Sequence, residues 1–274
     1  MGNNFKIACV QTEPKPDFES ALTEIFSLSN QAINEGVKFI ALPEYCGGLK
    51  TENGMLRPPS SIEEDHLVLN ELKKYSKKNK IFILIGSIAI LNSEGKIFNR
   101  SFIIDDEGNI ISRYDKVHLF DVDLSETEKY RESNAVSGGQ NVSITKTKFG
   151  ILGQTVCYDI RFPYLYRELS HAGAEIIFIP AVFTQKTGEA HWHVLNRARA
   201  IENGVFIISP GAIGSVQGGG GGYGHSLVVN PWGEIISDAG GKRGVSFANI
   251  DLEEVQLVRN KIPSLTHDKN IILS

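Results

Sequence analysis

Short apolar runs alternate along the chain with longer stretches in which apolar residues recur every three or four positions. The short runs have the length of buried β-strands, and the three-to-four spacing is typical of amphipathic helices. An alternation of this kind favours an α/β protein in which helices cover the faces of sheets. The periodic stretches predict helices at 17–36, from Ser60 or Ser61 to 79, at 163–173, at 189–203, and a short helix from 252.

The apolar runs predict the strands, and no long polar linker separates them. The predicted strands are 5–10, 37–42, 81–90, 99–105, 109–114, 149–156, 175–180, 205–209, 226–230, 234–237 and 245–250. Residues 106–108 and 231–233 carry turn residues and are expected to close hairpins. Between 120 and 140 the composition is polar and irregular, which is typical of a long functional loop. We therefore expect one domain over residues 1–274.

Charge and cysteine content narrow the class of protein. The net charge is −4, and the 28 lysines and arginines are spread along the chain, so nothing indicates a nucleic-acid partner. The three cysteines, Cys9, Cys46 and Cys157, are a poor disulfide framework and are typical of a reducing compartment. The most apolar run, 81–91, is too short to cross a membrane, and the N-terminus carries no basic leader. We expect a soluble cytoplasmic protein with a small-molecule partner.

Three apolar segments each end on one reactive side chain. Glu44 follows the run 39–43, Lys116 follows the predicted hairpin, and Cys157 follows the run 149–156. Each alone has a plainer interpretation, as a helix-start carboxylate, a solvated lysine or a small buried thiol. No common structural role explains why all three side chains lie at strand ends. They suit amide cleavage through a thioester, because the carboxylate can take the thiol proton while the ammonium stabilises the oxyanion.

These side chains lie in longer motifs, which are Leu42-Pro43-Glu44, Tyr114-Asp115-Lys116-Val117-His118-Leu119-Phe120-Asp121 and Cys157-Tyr158-Asp159-Ile160-Arg161-Phe162-Pro163. The order and spacing of these motifs resemble those of the nitrilase, or carbon–nitrogen hydrolase, family. The resemblance extends along nearly the whole chain. Later segments, at 187–192, 197–203, 223–226 and 230–233, are similar to the branch that holds omega-amidases and deaminated-glutathione amidases.

The resemblance implies a four-layer αββα sandwich with the active site at the strand ends. It implies that Glu44 is the general base, that Cys157 attacks the amide carbon, and that Lys116 and the backbone amide of Tyr158 stabilise the oxyanion. It also implies that Glu132 is a second glutamate that positions the lysine and the substrate. No cofactor and no metal are expected.

The resemblance further implies that Phe183, Thr184 and Thr187 line the acyl pocket. Arg161 and Lys186 are the nearby cations that would pair a substrate carboxylate, because an unpaired buried charge is costly. Arg161 has a second interpretation, in which it ties down the turn after the nucleophile. The expected substrate is a small linear amide, such as the 2-oxo acid amides deaminated glutathione and 2-oxoglutaramate.

Two alternatives stay open at this point. The same triad serves hydrolases of N-carbamoyl amines or nitriles, and a binding protein without activity would retain the same fold. The resemblance also implies a homodimer or larger homo-oligomer, with helix 189–203 and the tail from about 252 at the subunit contacts.

Two further features of the sequence are weaker signals. The five glycines 218–222 lack the spacing of a dinucleotide-binding motif, and they are expected to form a mobile loop that acts as a lid over the site. His191 and His193 are two positions apart on a predicted helix, so they cannot face one metal together.

Overall fold

The computed structural model describes residues 4–52, 54–126, 128–142 and 144–272. The strands, in chain order, are β1 (Asn4–Gln11), β2 (Phe39–Ala41), β3 (Thr51–Glu52), β4 (Met55–Leu56), β5 (Ser60–Ser61), β6 (Phe82–Leu91), β7 (Ile97–Ile104), β8 (Ile110–Asp115), β9 (Asp121–Asp123), β10 (Lys129–Arg131), β11 (Ile144–Thr147), β12 (Gly150–Gln154), β13 (Ile176–Phe178), β14 (Phe206–Ser209), β15 (Ile213–Ser215), β16 (Gly221–Tyr223), β17 (Leu227–Val229), β18 (Ile235–Asp238) and β19 (Gly244–Asp251).

The α-helices are α1 (Phe18–Asn34), α2 (Leu67–Asn79), α3 (Pro163–His171), α4 (Gln185–Thr187), α5 (His193–Asn203) and α6 (Glu253–Lys261). A π-helical turn, Gly188–Trp192, joins α4 to α5 without a break. Short 3₁₀ turns follow β10, β12 and α6. They are Glu132–Asn134, Cys157–Arg161 and Ser264–Thr266.

Two large sheets form the centre of the molecule. The first sheet has the order β19-β1-β2-β6-β7-β8, and β5 also pairs with β6. The second sheet has the order β11-β12-β13-β14-β17-β18. The central strands of each sheet run parallel, β1 with β2 and β6 in the first, and β12 with β13 and β14 in the second. The carboxyl ends of these parallel strands meet at one edge of each sheet.

The two sheets pack face to face, with helices on both outer sides. Aromatic side chains fill the interface between the sheets, where the ring centroids of Phe39 and Phe178 are 5.4 Å apart. Helices α1 and α2 cover the outer face of the first sheet, and α3 and α5 cover the outer face of the second. The predicted four-layer αββα sandwich is therefore confirmed.

Two predicted elements were wrong in their bounds. The prediction that Ser60 or Ser61 caps a helix fails, because both residues pair with Ala89 and Ile90 of β6 as a short strand. The helix begins only at Leu67, where the three-to-four spacing of apolar residues starts. The segment predicted as a loop at 120–140 contains the β9–β10 hairpin and the 3₁₀ turn at Glu132–Asn134.

The end of the described chain matches its prediction. The short helix expected from 252 is α6, followed by a 3₁₀ turn and an extended tail. Among the described residues, no helix combines the length and the apolar character that a membrane crossing requires.

Candidate active site

Three strands deliver reactive side chains to one place. Glu44 lies three residues after β2, Lys116 directly follows β8, and Cys157 lies three residues after β12. Strand β8 runs in the same direction as β2, because two antiparallel pairings separate β8 from β6. Glu44 and Lys116 therefore emerge at the same edge of the first sheet, and Cys157 emerges from the second. Together with Glu132, all three line a cavity of about 340 Å³.

Lys116 is buried between the two glutamates. Its Nζ donates to Oε1 of Glu44 at 3.1 Å and to Oε2 of Glu132 at 2.8 Å. Burial alone would lower the pKa of the Lys116 amine, but Glu132 and Glu44 outweigh it and raise that pKa well above its usual value. The two carboxylates therefore favour the protonated, cationic form of the lysine inside the cavity.

Both carboxylates are fixed by further donors. The backbone N–H of Val182 donates to Oε2 of Glu44 at 2.8 Å, and that of Phe120 donates to Oε2 of Glu132 at 2.7 Å. The side-chain amide of Asn99, at the start of β7, donates to both glutamates, at 2.9 Å to Glu44 and 3.2 Å to Glu132. These contacts leave neither carboxylate free to turn away from the lysine.

The nucleophile candidate lies on a sharp turn. Cys157 has φ +49°, a left-handed conformation that non-glycine residues adopt rarely and that is enriched where structure serves function. Its N–H donates to the carbonyl of Pro180 at 2.9 Å. The buried carboxylate of Asp159 secures the turn by accepting hydrogen bonds from the N–H of Val156 at 2.8 Å and the hydroxyl of Tyr114 at 2.6 Å.

The thiol is neutral in this environment. Burial raises the pKa of Cys157 well above its ordinary value, and the Glu44 carboxylate raises it further against the opposing effect of Lys116. The proximity of the thiol to Glu44 also favours the protonated sulfur. Because a neutral thiol is a weak nucleophile, the arrangement is suited to proton transfer from sulfur to Glu44 during attack.

Comparison with known proteins identifies the family to which the chain belongs. Residues 6–260 match the family model described as carbon-nitrogen hydrolase. The chain belongs to the carbon–nitrogen hydrolase family. The expected class of enzyme is therefore confirmed.

Individual relatives agree with this family over almost the whole chain. A protein named deaminated glutathione amidase from Synechocystis is 36% identical over 264 residues, which are 95% of this chain and 96% of the relative. The protein named Omega-amidase NIT2 from Danio rerio is 32% identical over 99% of this chain and 97% of its own. The crystal structure of the C. elegans NitFhit protein superposes with a TM-score of 0.89 at 27% identity, and this chain covers 66% of that longer protein.

The hydrolase cavity has a wall formed by the residues expected there. Tyr158, Phe183, Thr184 and Thr187 all line it. The hydroxyls of Thr184 and Thr187 are 2.7 Å apart and bonded to each other. This part of the wall contains two aromatic residues, Tyr158 and Phe183, and a pair of hydroxyls.

The two cations expected to bind a carboxylate lie elsewhere. Lys186 is exposed, and neither it nor Arg161 is among the described residues that line the cavity. The guanidinium of Arg161 lies behind the wall, 5.4 Å from the ring centroid of Phe183 and 5.9 Å from that of Tyr158. Its position agrees with the second interpretation, in which it supports the turn after Cys157. Lys129 and Arg131 on β10 line the cavity instead.

Several residues of the site carried no recognisable signal in the sequence. Asn99 lies inside a hairpin strand, 55 positions from the glutamate that it contacts. Tyr45 follows the base candidate directly, and its buried phenol has no hydrogen-bond partner among the described residues. Tyr45 is also among the residues that line the cavity.

The glycine run forms part of the cavity rim. Residues Gly218–Gly221 line the cavity at the tip of the β15–β16 hairpin. A side chain at Gly218 would lie 1.8 Å from the carbonyl oxygen of Thr51, so only glycine allows the two segments to approach this closely. The loop is placed where a lid would act, and its motion remains a prediction.

Proposed function

We propose that this carbon–nitrogen hydrolase is an amidase that converts a small linear amide to a carboxylate and ammonia through a thioester on Cys157. The observation that carries the proposal is the buried set of Glu44, Lys116 and Glu132 beside that thiol. A base, a cation and a nucleophile share one small cavity, and hydrogen bonds fix the base and the cation in place. The activities named for the two relatives above support the same reaction.

In the first half of the proposed reaction, the sulfur of Cys157 attacks the amide carbon while Glu44 takes the thiol proton. Negative charge then develops on the amide oxygen, where Lys116 and the backbone N–H of Tyr158 stabilise it. The protonated Glu44 returns the proton to the departing nitrogen, the C–N bond breaks, and ammonia leaves. An acyl group remains attached to Cys157 as a thioester.

In the second half, water replaces ammonia in the same position. Glu44 accepts a proton from this water, whose oxygen attacks the thioester carbon, and the same two donors again stabilise the oxyanion. The C–S bond breaks and the sulfur regains its proton. The products are a carboxylic acid and the free enzyme. Glu132 keeps Lys116 charged and in place through both halves.

We propose a 2-oxo acid amide with a distal carboxylate as the substrate, in the class of deaminated glutathione or 2-oxoglutaramate. Lys129 supports this choice, since it lines the cavity and no described residue forms an ion pair with its amine. Lys129 is exposed as well as lining the cavity, so a substrate carboxylate bound there would be paired where the cavity meets solvent. The hydroxyls of Thr184 and Thr187, of which one donates to the other, leave one donor for the remaining polar atoms of the substrate.

A panel of candidate substrates, scored by ammonia release, tests this proposal. It contains 2-oxo acid amides, a neutral aliphatic amide, an N-carbamoyl amine and a nitrile. We expect the highest kcat/KM with the acid amides and no release by the Cys157→Ala variant. A preference for the N-carbamoyl amine or the nitrile would support the alternative hydrolases. Absence of turnover on every compound would support a binding protein without activity.

We further propose that the chain is a single-domain cytoplasmic protein that forms a homodimer or larger homo-oligomer. The three cysteines are free, as expected in a reducing compartment. Large apolar side chains are exposed on α5, α6 and nearby segments, namely Val194, Ile201, Trp232, Leu257 and Ile262. Apolar groups exposed on neighbouring elements are typical of subunit contacts. Light scattering of the purified protein would give the mass of the assembly and test this.

A further inference from the structure

Three side chains with metal-ligating atoms converge outside the cavity. His193 opens α5, His225 precedes β17, and Asp238 ends β18. The Nε2 of His193 lies 3.1 Å from Oδ2 of Asp238, and the Nδ1 of His225 lies 3.0 Å and 3.1 Å from the two carboxylate oxygens. Ligand atoms of all three lie within 4.8 Å of one another. These residues, 45 positions apart at their extremes, are called the His-His-Asp cluster below.

The distances suit a shared cation. A zinc ion bonded at about 2.1 Å in tetrahedral geometry would hold its ligand atoms about 3.4 Å apart. Each histidine nitrogen lies 3.0–3.1 Å from the Asp238 carboxylate, close to that spacing, and the ligand atoms of the whole cluster lie within 4.8 Å of one another. Three protein ligands leave the fourth position to water. The side chains retain between a quarter and a third of their accessible surface, so an ion can reach them from solvent.

The surrounding structure positions two of the three ligands. The backbone N–H of Gly240 donates to Oδ1 of Asp238 at 2.8 Å. The ring of Tyr223 stacks on that of His225 with centroids 4.5 Å apart, and the indole N–H of Trp192 donates to the carbonyl of His225 at 2.8 Å. Contacts that orient ligands in this way are typical of metal sites.

The backbone at His225 also has an unusual conformation. Its φ is +49°, a left-handed conformation that few non-glycine residues adopt. This conformation costs conformational free energy and persists only where the surroundings require it. Here it turns the imidazole toward Asp238 and His193.

Another histidine–aspartate pair in the chain shows what an ordinary ion pair looks like. His171 lies 2.7 Å from Asp268, but Arg167 also binds both oxygens of that carboxylate. The guanidinium there already neutralises the carboxylate. In the part of the chain that the structure describes, no lysine or arginine pairs with Asp238. With both imidazoles neutral, the His-His-Asp cluster carries one negative charge and attracts a cation.

We propose that His193, His225 and Asp238 form a binding site for a divalent transition-metal ion such as Zn²⁺. Two imidazole nitrogens with one carboxylate oxygen suit zinc, nickel or copper, whereas magnesium and calcium prefer oxygen ligands throughout. The site is structural, because none of its three residues is among the described residues that line the hydrolase cavity. A bound ion would tie α5 to the loop before β17 and to the end of β18.

The ion would also stiffen one side of the substrate pocket. The backbone N–H of Tyr223, which stacks on His225, donates to the carbonyl of Phe183 at 2.8 Å. Phe183 lines the cavity. The proposal is independent of the hydrolytic reaction, since it concerns side chains that the reaction does not use.

Calorimetric titration with ZnCl₂ alone tests the site, in a Cys157→Ala background so that the active-site thiol takes no part. We expect one Zn²⁺ bound per chain and a rise in Tm that MgCl₂ does not give. His193→Gln and Asp238→Asn should each weaken binding at least about tenfold. His225→Asn, which tolerates the left-handed backbone, should do the same. Substituting Co²⁺ for Zn²⁺ should give the absorption bands of a four-coordinate ion.

His171→Gln is the matched control, because it removes a histidine–aspartate pair elsewhere and should bind Zn²⁺ as the parent does. Circular dichroism of each variant without metal shows whether weak binding reflects a lost ligand or a lost fold. His193→Gln and Asp238→Asn change different elements, so the test stands even if one of them misfolds. The proposal would be overturned if the parent took up no Zn²⁺, or if His193→Gln and Asp238→Asn bound it as tightly as the parent.

Discussion

The Nζ of Lys116 lies 2.8 Å from Oε2 of Glu132, and both side chains are buried. This contact helps to keep the lysine charged, because the pKa of Lys116 is raised by Glu132 and by Glu44. Glu132→Gln removes the charge and retains the shape. We expect kcat to fall about tenfold to a hundredfold, the worth of a charge-assisted hydrogen bond.

Steady-state kinetics on the preferred amide would check the Glu132→Gln prediction. Glu107→Gln is the control, because Glu107 also pairs with a lysine, Lys80, but on the exposed surface. It should leave kcat unchanged. A Glu132→Gln variant with the kcat of the parent would contradict the positioning role of Glu132.

Replacement of Lys116 should have a larger effect on the chemical step. Loss of one oxyanion donor typically costs about 3 kcal/mol of transition-state stabilisation, so Lys116→Ala should lower kcat by two to three orders of magnitude. The same change leaves Glu44 and Glu132 buried without their counter-ion, which should also lower the free energy of unfolding. Tm and circular dichroism would show that the variant is folded under assay conditions. A kcat within about tenfold of the parent would remove Lys116 from the mechanism.

Lys129 is expected to act on substrate selection and not on the chemical step. Lys129→Met should raise KM for a 2-oxo acid amide by about tenfold or more while kcat changes little, since the lost ion pair contributes equally to ground and transition states. The KM of a neutral amide should stay as it is. Arg161→Met and Lys186→Met are the comparisons, because neither side chain lines the cavity. If one of these two variants gave the substrate-dependent KM change instead, the carboxylate site would lie there.

Reactivity toward an alkylating amide should separate the three thiols. Burial raises the pKa of Cys9 to about 12 and that of Cys46 to about 12, and neither thiol lines the cavity. Cys157 also has a raised pKa, but it lines the cavity beside a base. Chloroacetamide should therefore modify Cys157 first, and Glu44→Gln should slow this modification. Peptide mass spectrometry measures both rates, and faster labelling of Cys9 or Cys46 would contradict the assignment.

Acid stability should depend on one buried histidine. Burial lowers the pKa of His66 from about 6.5 to about 4. A lowered pKa in the folded state means that the unfolded chain binds the proton more readily below pH 6.5. The contribution of His66 to stability is therefore fully present above pH 6.5 and is lost as pH falls from 6.5 to 4, by up to about 3 kcal/mol. Urea unfolding at pH 7 and pH 4 should show a smaller loss for His66→Phe than for the parent.

The sequence predicted those parts of the site that follow apolar strands. Glu44, Lys116 and Cys157 each come just after such a run, so their convergence follows from the layered fold. Asn99 could not be found in this way, because its position in a hairpin strand looks like any other polar residue facing outward. Glu132 was identified only through the family resemblance, since its turn lies in a segment without a periodic pattern.

The His-His-Asp cluster is a second part of the structure that the sequence pattern did not predict. Spacing along one helix predicted that His191 and His193 do not face one metal together, and it gave no information on His225 and Asp238. Those residues reach His193 only because β17 packs against α5 and β18 pairs with β17. Contacts between distant elements depend on how the layers pack, which the local pattern of residues does not encode.

Formation of a thioester on Cys157 is the central claim, and acid quenching during turnover tests it most directly. The enzyme would be mixed with a 2-oxo acid amide, quenched within a turnover, digested and examined by mass spectrometry. We predict that the peptide containing Cys157 gains the mass of the acyl group, and that the adduct disappears with Cys157→Ala. Ammonia release at the normal rate without an acyl adduct on Cys157, or with the adduct on another residue, would contradict the account.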